Sequence, residues 1–312
     1  MSWLRLIRWN NLFIILLTQL LVWLCVLQPM RHWTEGPFLL NGLHFALVCL
    51  STILVAAGGY IINDYFDIRI DEINKPGKVI LEHQIHRRAA IIFHTVCNVL
   101  ALLLAGYVAR RGGHYEWLLI QAGCTVLLFF YSTHFKRQFM VGNIVVAVLT
   151  GLTIITLLVY EPAMRPFYFK TPMLRNGAEM IPNPVWVLGI YTCFAFVLTW
   201  MREVVKDMED HIGDAADGCV TLPIRWGLLP AARFVQLLSL LALIPLLIAS
   251  WKVTGWLSAY TFFGITIPLI LWTLMLPRQA TTAHYHRMSR WLKIIMVSGV
   301  GSLLIYFYQA NG

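Results

Sequence analysis

"GGYIINDYFDIRIDEINKPGK", residues 58–78, sets Asn63, Asp64, Asp67 and Asp71, then Lys75 and Lys78, at the end of a long apolar stretch. The run before it is long enough to cross a bilayer, so the block marks where a buried helix reaches water. On a helix, Asn63, Asp67 and Asp71 step by four residues and share one face. Like charges at that spacing repel, and more strongly beside a low-dielectric membrane. A chain keeps such a stripe where a cation sits against it.

The whole chain reads as a membrane protein. Of its 312 residues 59% are hydrophobic and only 12% charged, against roughly 25% charged in a soluble protein. Twelve Trp and twelve Tyr suit two interfacial aromatic belts. The first apolar run has no small-residue cleavage pattern and is expected to be the first membrane helix. Spanning runs fall at about 11–29, 43–63, 89–108, 116–134, 142–160, 184–203, 232–250, 256–277 and 290–309. Turn signals such as "NKPGK", "RRGGH", "IPNP" and "LPRQ" separate them. With no linker or low-complexity segment, residues 1–312 are expected to form one all-α, multi-pass domain of nine transmembrane helices.

Charge sets its orientation. The N-terminus and the loops after helices two, four, six and eight hold seventeen of the 24 Lys and Arg. The positive-inside rule puts that side, with residues 63–71, in the cytoplasm, and the membrane expected is the inner (cell) membrane. The net charge of +9 then belongs to basic loops, not to a nucleic-acid partner, and no obligatory protein partner is evident. The six Cys form no CxxC pair, and their expected role is packing. The loop 161–183, on the other side, carries Pro162, Pro166, Pro172 and Pro182, which oppose a long regular helix.

All seven Asp of the chain lie in two segments, 64–71 and 207–217, at the cytoplasmic ends of helices two and six. Asp207, Asp210 and Asp214 step by three and four into a second stripe, which Glu203 extends by a turn. Hard divalent ions take oxygen ligands, and Mg²⁺ is held by a few carboxylates plus substrate phosphates. Lys75, Lys78, Lys136, Arg137 and Lys206 on the same side suit an anion with several phosphate oxygens. A metal-bridged diphosphate at the membrane edge follows, above an apolar bundle that can hold a long hydrocarbon tail. The bland alternative is solvated helix ends with internal pairs such as Lys206 with Asp210, but that would not gather every Asp in two places. Arg87 and Arg88 are expected at the headgroups, and His83, His86, His284 and His286 in loops. Each acidic segment runs on through a glycine, Gly77 or Gly218, which hints at duplicated helix–loop–helix units.

"NDYFDIRID" and "DMEDHIGDAADG" resemble the two Asp motifs of the UbiA superfamily of intramembrane prenyltransferases. "LIRWNN" is similar to that family's start, and "YSTHFKRQFMVGN" to its junction of helices four and five. The resemblance implies that Mg²⁺ ions bind a prenyl diphosphate, that the allylic C–O bond ionises, and that a lipophilic acceptor from the membrane attacks the cation. It implies metal ligands at Asn63, Asp64, Asp67, Asp71, Asp207, Asp210 and Asp214, with Asp67, Asp71, Asp210 and Asp214 central to catalysis. It implies substrate contacts from Arg8, Asn11, Lys75, Lys78, Tyr131, Lys136, Arg137, Arg202 and Lys206. "KPGKV" stands where the family commonly has Arg-Pro-x-Arg-Pro, and Lys lacks the bidentate fork of Arg. The family's frequent "PSG" is replaced by "ILEHQ".

"REVVKDMEDHIGDAADGCVTLPIRWG" looks most like the family's enzymes that add a second geranylgeranyl chain to geranylgeranylglyceryl phosphate. Arg202 and Lys206, one turn apart, would hold that acceptor's phosphate. Aromatic-ring prenyltransferases of quinone synthesis are the alternative. An ion-coupled transporter would want its charges near the midplane and broken helices. A CDP-alcohol phosphotransferase would want Gly-x2-Ala-Arg after its first Asp pair, where this chain has "HIGDA" after Asp210.

Overall fold

In hydrocarbon every backbone N–H and C=O must be satisfied within its own segment, so each long apolar run forms a helix. The computed structural model describes the chain apart from residues 1, 35–36, 75–76, 78, 169–172, 176–178, 182, 254, 277–280 and 312. Among the described residues nine helices are long and apolar enough to span a membrane. They are α1 Trp9–Arg31, α2 Gly42–Phe66, α3 Arg87–Gly112, α4 Tyr115–Thr133, α5 Val141–Val159, α6 Pro184–Ala216, α7 Leu228–Trp251, α8 Gly255–Met275 and α9 Thr282–Gln309. The protein is an integral, multi-pass membrane protein. Leu103, Leu119, Ile190, Leu241, Ile244, Phe263 and Ile294 project outward without cover, as a lipid-facing surface requires.

Local chemistry sets the helix ends. Asn41 caps α2 by accepting the His44 N–H at 3.0 Å, and Asn183 caps α6 by accepting that of Val185 at 2.9 Å. Pro184 at the first turn of α6 gives up an N–H that would have no intrahelical partner. Two helices are longer than their hydropathy implies. α6 has 33 residues, ~50 Å at helical rise against ~30 Å of hydrocarbon, so its Asp-bearing end stands clear of the bilayer core. α9 begins at Thr282 instead of near 290, which puts Lys293 inside a helix and not at a loop edge. His284 and His286 therefore sit on the first turns of α9, with His284 buried against the Leu276 carbonyl and His286 on Glu209 at 2.7 Å.

α2 packs along α3, α5 along α6, and α6 along α9. One core surrounds Trp23 and Phe45, stacked at 4.4 Å, at the end away from the Asp segments. A second joins α6 to α9 around Trp272, which donates to the Met288 carbonyl at 2.8 Å. A third, of Leu6, Ile61, Ile68, Leu81, Ile85 and Ala90, fixes the segment after α2. All six Cys are free.

Between α5 and α6 the described residues form a short 3₁₀ turn, Pro162–Phe167, and an antiparallel ribbon, β1 Met173–Arg175 with β2 Glu179–Ile181. Among its described residues no long helix forms, in keeping with the prolines. Glu161 anchors the start of this loop. Its buried carboxylate accepts the N–H groups of Leu39 (3.2 Å), Leu40 (2.7 Å) and Ala163 (3.2 Å).

Candidate active site

α2 ends at Phe66, and Asp67 turns the chain into a short helix, Ile68–Asn74. Hydrogen bonding continues through the turn: Asp67 N–H to the Asn63 carbonyl at 3.0 Å, Asp71 N–H to that of Asp67 at 2.8 Å. The four-residue step therefore survives, and Asn63, Asp67 and Asp71 keep one face. Asp207, Asp210 and Asp214 lie on the uninterrupted end of α6. The two stripes are drawn together where Asn74 accepts the Gly213 N–H at 2.9 Å. Gly77 and Gly218, which follow the stripes, both have left-handed backbone, with φ of 75° and 74°.

Both stripes line one cavity of about 560 Å³, together with Asp64, Arg8, Lys136 and Lys206. Asp64 accepts from Arg8 at 2.7 Å, and Asp67 from Asn63 Nδ2 at 2.7 Å and from the largely buried Lys136 ammonium. Asp207 accepts from Asn143 Nδ2 at 2.8 Å. Burial pushes the Asp67 carboxyl above the ordinary carboxylate range, and the Lys136 ammonium draws it part of the way back. Arg8, on the wall of the cavity, carries left-handed backbone, with φ of 51°. Strain of that kind, of order 1–3 kcal/mol per residue, collects at functional sites. At Arg8 it sets the guanidinium 5.0 Å over the Tyr60 ring and against Asp64.

Among the described residues no three His, Cys, Asp or Glu side chains are grouped tightly enough to hold a metal ion. Arg8 holds Asp64, Lys136 and Asn63 hold Asp67, and Asn143 holds Asp207. The donor set nevertheless fits Mg²⁺. It consists of hard oxygens from two helices, and Asn63 Oδ1 is a buried oxygen on the cavity wall without a hydrogen-bond partner. Asn74 Nδ2, buried and likewise unpartnered on this wall, suits a phosphate oxygen.

Asn11 and Tyr131 also line the cavity. Arg137 does not: it turns to Asp217 at 2.7 Å, because its carbonyl and the next loop are pinned together by the Val220 N–H at 2.9 Å. Lys75 and Lys78 lie outside the described residues. Arg202 and Lys206 line the cavity but both clasp Glu203, at 2.8 and 2.9 Å, in place of the Lys206–Asp210 pair. Three residues at the site escaped motif reading: Asn74, Asn143 and Lys293. Asn143 and Lys293 had a signal, being polar positions inside apolar runs. Asn74 had none.

The UbiA prenyltransferase family matches residues 20–296. The chain is a member of that family. A digeranylgeranylglyceryl phosphate synthase of Methanothermobacter thermautotrophicus is 31% identical over 278 residues, 86% of each chain. One of Thermococcus sibiricus is 29% identical over 263 residues, 83% of each. Among solved structures, one described as a digeranylgeranylglyceryl phosphate synthase superposes with a TM-score of 0.66 at 24% identity, covering 99% of this chain and 98% of that one. A UbiA homolog from Archaeoglobus fulgidus bound to GPP and Mg²⁺ superposes with a TM-score of 0.58 at 15% identity, covering 97% and 100%. These structures share the nine-helix fold.

In this intramembrane prenyltransferase the cavity continues from the acidic end between α1, α2, α4 and α5 to Gln121 and Thr156. Asn143 to Thr156 on α5 is ~20 Å at helical rise. Four threonines line this part, yet each hydroxyl is taken by its own helix: Thr52 by Val48, Thr150 by Val146, Thr153 by Thr150 and Thr156 by Leu152, at 2.7–3.1 Å. With the hydroxyls bonded inward, the wall suits a hydrocarbon tail. Gln121, accepting from Tyr160 at 2.9 Å, stands at its far end.

Proposed function

We propose that the protein transfers a geranylgeranyl group from its diphosphate to the hydroxyl of geranylgeranylglyceryl phosphate, on the cytoplasmic side of the cell membrane. The observation that carries this is a single cavity with both Asp stripes and their cations at one end and a ~20 Å apolar tunnel at the other. The sequence similarity to digeranylgeranylglyceryl phosphate synthases over most of the chain supports the choice of acceptor.

Asn63, Asp67, Asp71, Asp207, Asp210 and Asp214 would hold Mg²⁺, with Asp64 behind them on Arg8. Bound there, Mg²⁺ supplies Lewis-acid neutralisation of the leaving pyrophosphate. Lys136 exchanges Asp67 for a diphosphate oxygen, and the Asn74 amide donates to another. The allylic C–O bond breaks with its electron pair on pyrophosphate. The tunnel of α1, α2, α4 and α5 aligns the tail and keeps water from the cation. The acceptor hydroxyl oxygen forms the new C–O bond, and its proton goes to the departing pyrophosphate. Arg202 and Lys206 lie on the acceptor's side of the cavity.

The test gives purified enzyme labelled geranylgeranyl diphosphate and Mg²⁺ with either geranylgeranylglyceryl phosphate or 4-hydroxybenzoate. Label is expected in the glycerol phosphate lipid. Label in the aromatic acid alone would overturn the assignment in favour of quinone synthesis.

A further inference from the structure

We propose that Lys293 on α9 anchors a second anion site, apart from the diphosphate end, that takes the phosphate monoester of the acceptor; this presupposes the phospholipid acceptor above. Lys293 lies eleven residues into α9, half-buried, on the wall of the cavity. Its ammonium donates to Asn11 Oδ1 of α1 at 2.6 Å, a neutral acceptor that leaves its charge unbalanced. Among the described residues it forms no ion pair. Across from it, Arg202 and Lys206 of α6 share the single carboxylate of Glu203. α6 packs along α9, and Arg202 and Lys293 line the same cavity.

The corner between α1, α6 and α9 therefore holds the cations Arg202, Lys206 and Lys293 against Glu203, with Asp207 the next carboxylate beside Lys206. Uncompensated charge at a membrane-embedded wall is costly unless an anion completes it. Two further donors are idle there. Arg202 Nε and, nearly one turn earlier, Thr199 Oγ1 are buried without hydrogen-bond partners, and both residues line the cavity. A guanidinium N–H, a hydroxyl and an ammonium are the groups that bind a phosphate, which accepts from all three. A phosphate monoester carries about two negative charges near neutrality and three acceptor oxygens, which suits an ammonium, a guanidinium N–H and a hydroxyl together. The walls beyond the corner are apolar. Met296 follows Lys293 by nearly a turn on α9, so a lipid acceptor has apolar surface outside the α1, α2, α4 and α5 tunnel. Diphosphate binds elsewhere, at Lys136 and the carboxylates, so the two anions do not compete.

The experiment compares wild type, Lys293→Gln, Lys293→Arg and Thr199→Val in steady state with geranylgeranyl diphosphate and geranylgeranylglyceryl phosphate. Lys293→Gln is expected to raise the acceptor KM by at least ~10-fold, the scale for losing one hydrogen bond to a charged group. Its donor KM should stay within ~2-fold, which also reports an intact fold. Lys293→Arg should recover much of the acceptor affinity, and Thr199→Val should raise the acceptor KM alone, by less. Inorganic phosphate should compete with the acceptor in wild type and more weakly in Lys293→Gln. A rise in donor KM instead, or an unchanged acceptor KM in Lys293→Gln, overturns the Lys293 site while the acceptor assignment stands. Failure of wild type to prenylate the glycerol phosphate lipid overturns both.

Discussion

Asn74 accepts the backbone N–H of Gly213 at 2.9 Å, and a Cβ added to Gly213 would lie 2.5 Å from the Asn74 amide atoms. The short helix after α2 and the end of α6 thus meet where only glycine fits. Gly213→Ala must swing the Asn74 amide away and break the bond that draws the two Asp stripes together. Overpacking of this kind costs about 1–3 kcal/mol. Misplacement of catalytic groups by ~1 Å can cost on the order of 10²-fold in rate. Gly213→Ala should therefore lower kcat and raise the Mg²⁺ concentration for half-activation. An unchanged Mg²⁺ activation curve would show that this contact does not set the spacing.

Neither Asp stripe should suffice alone. Asp67→Asn and Asp210→Asn each keep size and remove charge, so folding should survive by thermal unfolding. Turnover should fall at least ~10²-fold, the scale for losing a key electrostatic stabiliser. Near wild-type turnover in either purified variant would refute a two-sided metal clamp.

The apolar tunnel predicts donor length. Cys124 lines it on α4 between Gln121 and Leu128. Cys124→Trp should block its far part, so kcat/KM shifts toward shorter prenyl diphosphates relative to geranylgeranyl diphosphate. A change of ~10-fold or more in that ratio is the scale for pocket contacts of this size. Competition between geranyl and geranylgeranyl diphosphates measures it, and an unmoved ratio would place the tail elsewhere.

Orientation can be read by labelling. Single cysteines at Gln138 and Arg165, in a cysteine-free background, lie at opposite ends of α5. Impermeant maleimide should reach Gln138→Cys from the cytoplasmic side only and Arg165→Cys from the other side only. The reverse pattern would invert the protein.

Glu161 stitches the loop after α5 to the residues preceding α2. Glu161→Ala leaves three backbone donors without their acceptor, at a cost of about 3 kcal/mol. The apparent Tm should drop while the donor KM is little changed, since the loop lies away from the acidic end. A Tm equal to wild type would assign those donors to other partners.

The membrane class, the nine spans and the face shared by Asn63, Asp67 and Asp71 were legible in the sequence, because hydropathy and the helical repeat are local properties. The acidic clustering itself pointed to cations and phosphate. Arg137 stands on Asp217 and off the cavity wall, which the sequence could not show: charge near a motif is visible there, but the direction of a side chain is not. The four-residue step from Lys206 to Asp210 left an internal pair as the bland alternative, whereas in the bundle the buried Glu203 takes both Arg202 and Lys206.

What the sequence by itself determined is therefore a bundle of nine membrane helices with two oxygen-rich helix ends. The contacts that turn those ends into a site join residues far apart in the chain: Asn143 with Asp207, Asn74 with Gly213, and Lys293 with Asn11, separated by 64, 139 and 282 positions. Those pairings depend on which helix faces pack together, and many faces of an apolar helix bury equally well. Only the assembled bundle, by setting α6 against α9 and α1 beside both, gives Lys293 a cavity to face and an excess of positive charge to share.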